Sequence, residues 1–207
     1  MSLSDPSSVF RQAIDEHLAV IDSLKGQESV LQMIAEEMAR AIFAGHKVLW
    51  CGNGGSAADS QHLAAELLGR FRQERSALPS IALTTDTSIL TAVGNDYGFE
   101  RIFQRQVEAL CNKGDVLVGI STSGSSENVY AALQTARQIG ARTIAFTGQG
   151  GGTIASVADI ALCIASKDTA RIQEAHIVCG HMVCDWIERC VCEERREFPQ
   201  RAPVDQL

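Results

Sequence analysis

The sequence predicts an α/β fold: a doubly wound, five-stranded parallel sheet with an N-terminal helical hairpin. Five short β-rich runs are apolar through nearly their whole length, as strands covered on both faces are. Helical patterns separate them, and strand, helix, strand repeated this often implies parallel pairing with right-handed crossovers. The length of 207 residues suits one large domain with a helical appendage and rules out several full domains.

In chain order, apolar residues recur at helical spacing over residues 8–44, in Val9, Ile14, Leu18 and Ile21 and then Val30, Ile34, Met38 and Ile42, with Gly26 between the stretches. This is the hairpin, residues 1–45, expected to pack on the core and in an oligomer. The domain proper, 46–194, holds the strand runs 47–51, 80–84, 115–120, 143–147 and 160–164 and helical patterns at 57–69, 99–111, 126–140 and 169–194. Residues 195–207, with Arg195, Arg196, Pro199, Arg201 and Pro203, lack periodicity and are expected to form a mobile tail. In such a sheet ligands bind at the carboxyl ends of strands.

Composition excludes some functions. A formal charge of −7 argues against broad capture of nucleic acid or of an anionic membrane surface. No apolar run is long enough to span a bilayer, and the first residues lack a signal-like pattern, so the expected location is the cytoplasm. The seven cysteines, an odd number without a Cys-x-x-Cys pair, are expected to be reduced core thiols. Cys179, Cys184, Cys190 and Cys192 are spaced for packing as well as for a soft metal cluster.

Two strand-to-helix loops carry ligand signals. Cys51-Gly52-Asn53-Gly54-Gly55-Ser56-Ala57 lets backbone approach an anion at a helix N-terminus. The same residues satisfy G-x-G-x-x-G/A, which keeps a dinucleotide reading and a plain structural turn open. Against the dinucleotide, the acidic candidate Asp86 lies further along than the usual spacing of about 20 residues. Ser121-Thr122-Ser123-Gly124-Ser125-Ser126 offers five hydroxyls beside another helix start. That is an uncharged phosphate cradle, unless Ser126 simply caps the helix and the rest is turn chemistry. His62 and Glu66, four apart on one helix, share a face and could hold a metal or a substrate. Two more imidazoles, His176 and His181, occupy the last helix; His176 lies about 140° around the helix from His181 and is expected to be either a residue supporting the ligands from behind or a core residue rather than a fellow ligand. Arg70, Arg72 and Arg75 reach either a phosphate, a partner's acid or solvent.

The strings Cys-Gly-Asn-Gly-Gly-Ser, Gln-His-Leu-Ala-Ala-Glu-Leu, Gly-Asn-Asp-Tyr-Gly-Phe, Gly-Asp-Val-Leu-Val-Gly-Ile-Ser-Thr-Ser-Gly and Ala-Arg-Ile-Gln-Glu-Ala-His resemble the phosphoheptose isomerases of the sugar isomerase (SIS) domain family. The resemblance implies the flavodoxin-like SIS fold and conversion of sedoheptulose 7-phosphate to D-glycero-D-manno-heptose 7-phosphate, the first step toward ADP-heptose and the lipopolysaccharide core. It also implies a homotetramer and one zinc ion (Zn2+) per subunit, with His62, Glu66, Gln173 and His181 as ligands. Substrate would be held by Asn53, Gly54, Gly55, Glu66, Asn95, Asp96, Ser121, Thr122, Ser123, Ser126 and Gln173. The family's Asn-Ser appears here as Ser125-Ser126, and Ala170 stands where some relatives have Asp.

Moving a carbonyl between neighbouring carbons through an enediol needs a base and an acid facing both, roles given to Glu66 and His181. Zinc on the sugar oxygens would act as Lewis acid and template; with Glu66 and His181 purely as ligands, transfer would run through water. On a regular helix Gln173 and His181 stand roughly 12 Å apart along the axis and about 80° apart in rotation. The expectation is therefore a site shared between subunits, or an irregular helix start near Gln173. Rival readings are a non-catalytic SIS module contacting the replication initiator protein, and a sensor or isomerase for another sugar phosphate.

Overall fold

The computed structural model describes residues 5–197. Helix α1 (Pro6–Ser23) starts on Asp5, whose carboxylate accepts from the Ser7 N–H, and a 3-10 turn at Leu24–Gln27 leads into α2 (Glu28–Phe43). There follow β1 (Val48–Gly52), α3 (Gly55–Leu68), β2 (Ser80–Ala82), α4 (Thr87–Tyr97), α5 (Ile102–Leu110), β3 (Val116–Ser121), α6 (Glu127–Ile139), β4 (Arg142–Thr147), α7 (Gly152–Ala155), β5 (Ile160–Cys163) and α8 (Thr169–Glu197). All five strands are parallel in the order β2-β1-β3-β4-β5. This flavodoxin-like order reverses direction between β1 and β3, where ligands of such sheets bind.

Alternate residues of each central strand feed two cores, so both faces are apolar. Val48, Trp50, Val116, Val118, Ile144 and Phe146 pack with α2, α3 and α8. Leu49, Cys51, Leu117 and Ala145 pack with α5, α6 and Ile154 of α7. The five expected strands are all present, with β2 ending early, at Ala82, on the sheet edge. Two helices escaped the sequence reading: the single-turn α7, and α4, which buries no residue and so displays no inward stripe. Helix α8 continues through residue 197; residues 198–207 of the expected tail lie outside the described residues.

Helix α1 buries only Val20, leaving Val9, Phe10, Ile14 and Leu18 exposed at 49–66%. Polar contacts also tie it to α8: His17 Nδ1 lies 2.8 Å from Glu174 Oε2, and Arg171 donates to the Ala13 carbonyl at 2.6 Å. No described helix is long and apolar enough to cross a membrane. None of the seven cysteines forms a disulfide, and burial pushes the Cys51, Cys179 and Cys184 thiols up to about 12, which makes them poor nucleophiles and ligands.

Of the two readings of His176, the structure shows the core residue. It is fully buried beside Phe146, with Nε2 3.1 Å from the Thr147 carbonyl and Nδ1 unpartnered. Burial lowers its pKa to about 4, so between that value and the unfolded value near 6.5 the unfolded chain binds more protons and stability falls as pH falls. Urea unfolding at pH 7 and pH 5 should show the wild type losing about 2 kcal/mol more than His176→Gln, which keeps a donor for Thr147. Asp59, raised to about 6 by burial, acts in the opposite direction but is common to both proteins, so it cancels in the difference.

Candidate active site

The reversal of strand order places the glycine loop after β1 beside the serine loop after β3. Gly54 caps α3 with φ +56°, a conformation that favours glycine, and has no side chain to satisfy the helix's first N–H groups. A Cβ on Gly52 would lie 2.7 Å from the Ser56 carbonyl, so the loop folds this tightly only with glycine there. In the serine loop, the Ser126 side chain makes no capping bond to α6. It meets Ser121 Oγ at 2.9 Å, and Ser123 Oγ accepts from the Ser125 N–H at 3.2 Å. The capping explanation of Ser126 therefore fails, and its hydroxyl faces the loop interior. Asn53 ties the glycine loop to the first turn of α6, just after the serine loop, through a paired amide contact with Asn128. Asp86 is occupied as the N-cap of α4, accepting from the Ile89 N–H at 2.9 Å, where it serves no ribose.

The second cluster lies further along α3. His62 Nε2 stands 3.0 Å from Glu66 Oε1 and 2.9 Å from His181 Nε2, and one ligand atom from each residue falls within 4.8 Å of the others. These bonds cannot all form together: a protonated His62 Nε2 donates to one neighbour and has no lone pair for the other. A cation would satisfy all three lone pairs at once. Two imidazoles and a carboxylate are a zinc-type donor set, and atoms 2.0–2.1 Å from a tetrahedral ion stand ~3.4 Å apart, close to the spacings found. Burial, then the neighbouring His62, lowers the His181 pKa, keeping that ring neutral and able to ligate. The cluster opens outward, with the His62 side chain half exposed.

Gln173 is placed apart from this cluster. Its amide lies against Gly55, where a Cβ would collide with it, and α8 is continuous from Thr169. The irregular helix start is thus absent, and about two helical turns separate Gln173 from His181 within one chain. Asn95 and Asp96 sit exposed on α4, where Asn95 donates to Asp96 at 2.8 Å.

Several supporting residues escaped sequence reasoning. Arg75 neither meets solvent nor a phosphate: it is buried, with Nε 3.1 Å from Glu188 Oε1, and donates to the carbonyls of Glu66, Leu67, Gly69 and Ser76. Glu188 also accepts from the N–H groups of Phe71, Arg72 and Gln73. Burial raises its pKa, but the three N–H groups and Arg75 outweigh this and hold it below the usual value. The strap so fixed stacks Phe71 on the His181 ring, centroids 5.3 Å apart. Gly180 is equally unobtrusive: a Cβ there would lie 2.5 Å from both Leu63 methyls, so α3 and α8 approach closely one residue away from His62 and His181.

Comparison with known proteins agrees with this fold. The SIS domain family profile matches residues 12–148, which makes the chain a SIS-domain protein. It is 55% identical to the phosphoheptose isomerase of Aquifex aeolicus over 92% of this chain and 98% of the relative, and 53% identical to that of a Roseiflexus species over 93% and 100%. The solved phosphoheptose isomerase of Neisseria gonorrhoeae superposes with a TM-score of 0.80 at 45% identity, covering 88% of this chain and 96% of that one. The chain belongs to the phosphoheptose isomerase family.

Gly180→Ala tests the helix contact. The fully buried Leu63 has no room to turn aside, so overpacking should destabilise the fold by about 1–3 kcal/mol in urea unfolding despite alanine's better helix propensity. Competition against a chromophoric chelator should show weaker zinc binding, and unchanged affinity would refute the link between this contact and the cluster.

Proposed function

We propose that this protein isomerises sedoheptulose 7-phosphate to D-glycero-D-manno-heptose 7-phosphate in the cytoplasm, the first step toward the heptose of the lipopolysaccharide core. The observation that carries the reading is the convergence of His62, Glu66 and His181 in a chain of this family. A non-catalytic SIS module needs no such convergence.

In this reading Asn53, Gly54, Gly55, Ser121, Thr122, Ser123 and Ser126 hold the substrate and its phosphate through N–H and hydroxyl donors, aided by two helix N-termini. Glu66 removes a proton from C1 of the ketose, and His181 serves as the acid of the exchange. The O1 proton leaves as C1 becomes the carbonyl, O2 gains one, and a proton returned to C2 completes the aldose. His62, Glu66, His181 and Gln173 would hold zinc, which when bound supplies Lewis-acid stabilisation of negative charge on the sugar oxygens.

A second copy of the chain is part of the proposal. Gln173 stands too far along α8 to join His181 of its own chain, so a partner supplies it. Three features support such an assembly, here assigned as a tetramer: the exposed row Phe10, Ile14 and Leu18 on α1, the exposed Met182 and Trp186 on α8, and an α4 with no buried residue. Asn95 and Asp96 of α4 would then reach substrate at the interface.

Turnover of sedoheptulose 7-phosphate should disappear on chelation and return with zinc. Glu66→Gln should cut kcat by about 10²–10⁴-fold, the usual worth of a general base, while calorimetry still detects sugar-phosphate binding. Wild-type turnover by Glu66→Gln would remove Glu66 as the base, and absence of turnover in the zinc-loaded wild type would refute the enzyme reading.

A further inference from the structure

We propose that Asn128 is a positioning residue: it fixes the orientation of the Asn53 amide, and so turns an Asn53 N–H rather than its oxygen toward the sugar phosphate. The inference rests on the reading of the two loops as the sugar-phosphate site.

The argument begins at a backbone group that can act in only one way. The Val129 N–H lies 2.9 Å from one side-chain atom of Asn128, and because a main-chain N–H only donates, that atom must be the amide oxygen. The other terminal atom of Asn128 is then Nδ2, and it donates to Asn53 Oδ1 at 2.9 Å. Asn53 Nδ2 donates in return to Asn128 Oδ1 at 2.8 Å. The pair is a closed ring of two amides joining the glycine loop to the first turn of α6, 75 residues apart in sequence.

Burial makes this ring directive. Asn128 is 3% exposed, so its amide cannot exchange partners with water, whereas Asn53 is only half-buried and shares the cavity wall with Ser126, Phe99 and Glu100. The ring uses the Asn53 carbonyl oxygen and one of its two N–H bonds. One N–H remains for the cavity, while the amide oxygen is held turned toward Asn128. Phosphate and carbonyl oxygens accept hydrogen bonds and are repelled by an amide oxygen. A flipped Asn53 would present that oxygen to them, and Asn128 prevents the flip.

The test is a double-mutant cycle read by calorimetric titration with sedoheptulose 7-phosphate. Asn53→Ala and Asn128→Ala should each weaken binding about tenfold, the worth of one hydrogen bond to a charged group. The double variant should bind no more weakly than Asn53→Ala alone. KM should rise in Asn128→Ala with kcat nearly unchanged, because Glu66 and His181 are untouched; a merely structural role would lower the melting temperature without this split. If Asn128→Ala does not fold, Asn128→Ser can still offer Val129 an acceptor while losing its reach to Asn53, and the same cycle applies. Wild-type affinity in the Asn128 variant, or losses that add in the double variant, would overturn the proposal. A wild-type protein that does not bind the sugar phosphate would overturn the site reading and this inference with it.

Discussion

Helix α3 is the constraint on which both halves of the site depend. Its first residue leaves the glycine loop at the point where strand order reverses, and its later turns carry His62 and Glu66. Leu63 and Leu67, both fully buried, lie between the sheet and α8, so the helix can neither slide nor roll without opening a core cavity. The contact with α8 at Gly180 then sets how near His181 comes. A glycine inside a helix costs about 1 kcal/mol against alanine, and here that cost is offset by an approach that no side chain would allow.

The loops at the sheet's carboxyl edge answer an electrostatic difficulty. In the proposed function a chain of net charge −7 would offer an anion site without general positive potential. Residues 51–57 and 121–126 contain no lysine or arginine. What they contain is backbone N–H groups, hydroxyls and the positive ends of two helices, which act over a few ångströms and leave the outer field acidic. In the proposed function such a site would select phosphate by matched donors rather than by charge attraction, and no ion pair would oppose dissociation.

Much of the fold was legible because its main signals are strong and local. Runs such as Val116–Ser121, apolar on both faces, can only be buried parallel strands, and the two loops announce themselves by glycine and hydroxyl density. The i, i+4 pair His62 and Glu66 was legible for the same reason. Helix α4 was not: it buries nothing, so no periodicity points inward, and only its cap Asp86 marks where it starts. Arg75 was unreadable because its partner Glu188 is 113 residues away, and nothing in the local pattern distinguishes it from its solvent-facing neighbour Arg72. Asn128 was missed because its value lies in a contact 75 residues away, and Gly180 because a helical glycine reads as a weakness until the facing helix is seen. The separation of Gln173 from His181, by contrast, follows from helix geometry alone, and α8 keeps that geometry.

The buried pair Arg75 and Glu188 shows why such a costly arrangement is retained. Removing two charges from water is rarely repaid by their mutual attraction, but here attraction is the lesser part. The guanidinium satisfies carbonyls left open where α3 ends, those of Glu66 and Gly69, and the carboxylate satisfies three N–H groups of a segment that belongs to no helix or strand. A hydrophobic pair of the same volume would leave those backbone groups unpartnered in the interior. The segment would then open, and with it Phe71, whose ring lies on His181. Arg72 lies over the ring's surroundings, its guanidinium 5.2 Å from the Phe71 centroid, adding a cation–π contact at the surface. The charge pair thus holds a backbone, the backbone an aromatic ring, and the ring one side of the imidazole, while the His62 ring lies 5.0 Å from it, centroid to centroid. An imidazole so confined keeps the rotamer in which Nε2 faces His62 and Glu66, so the three donors are organised before any ligand arrives.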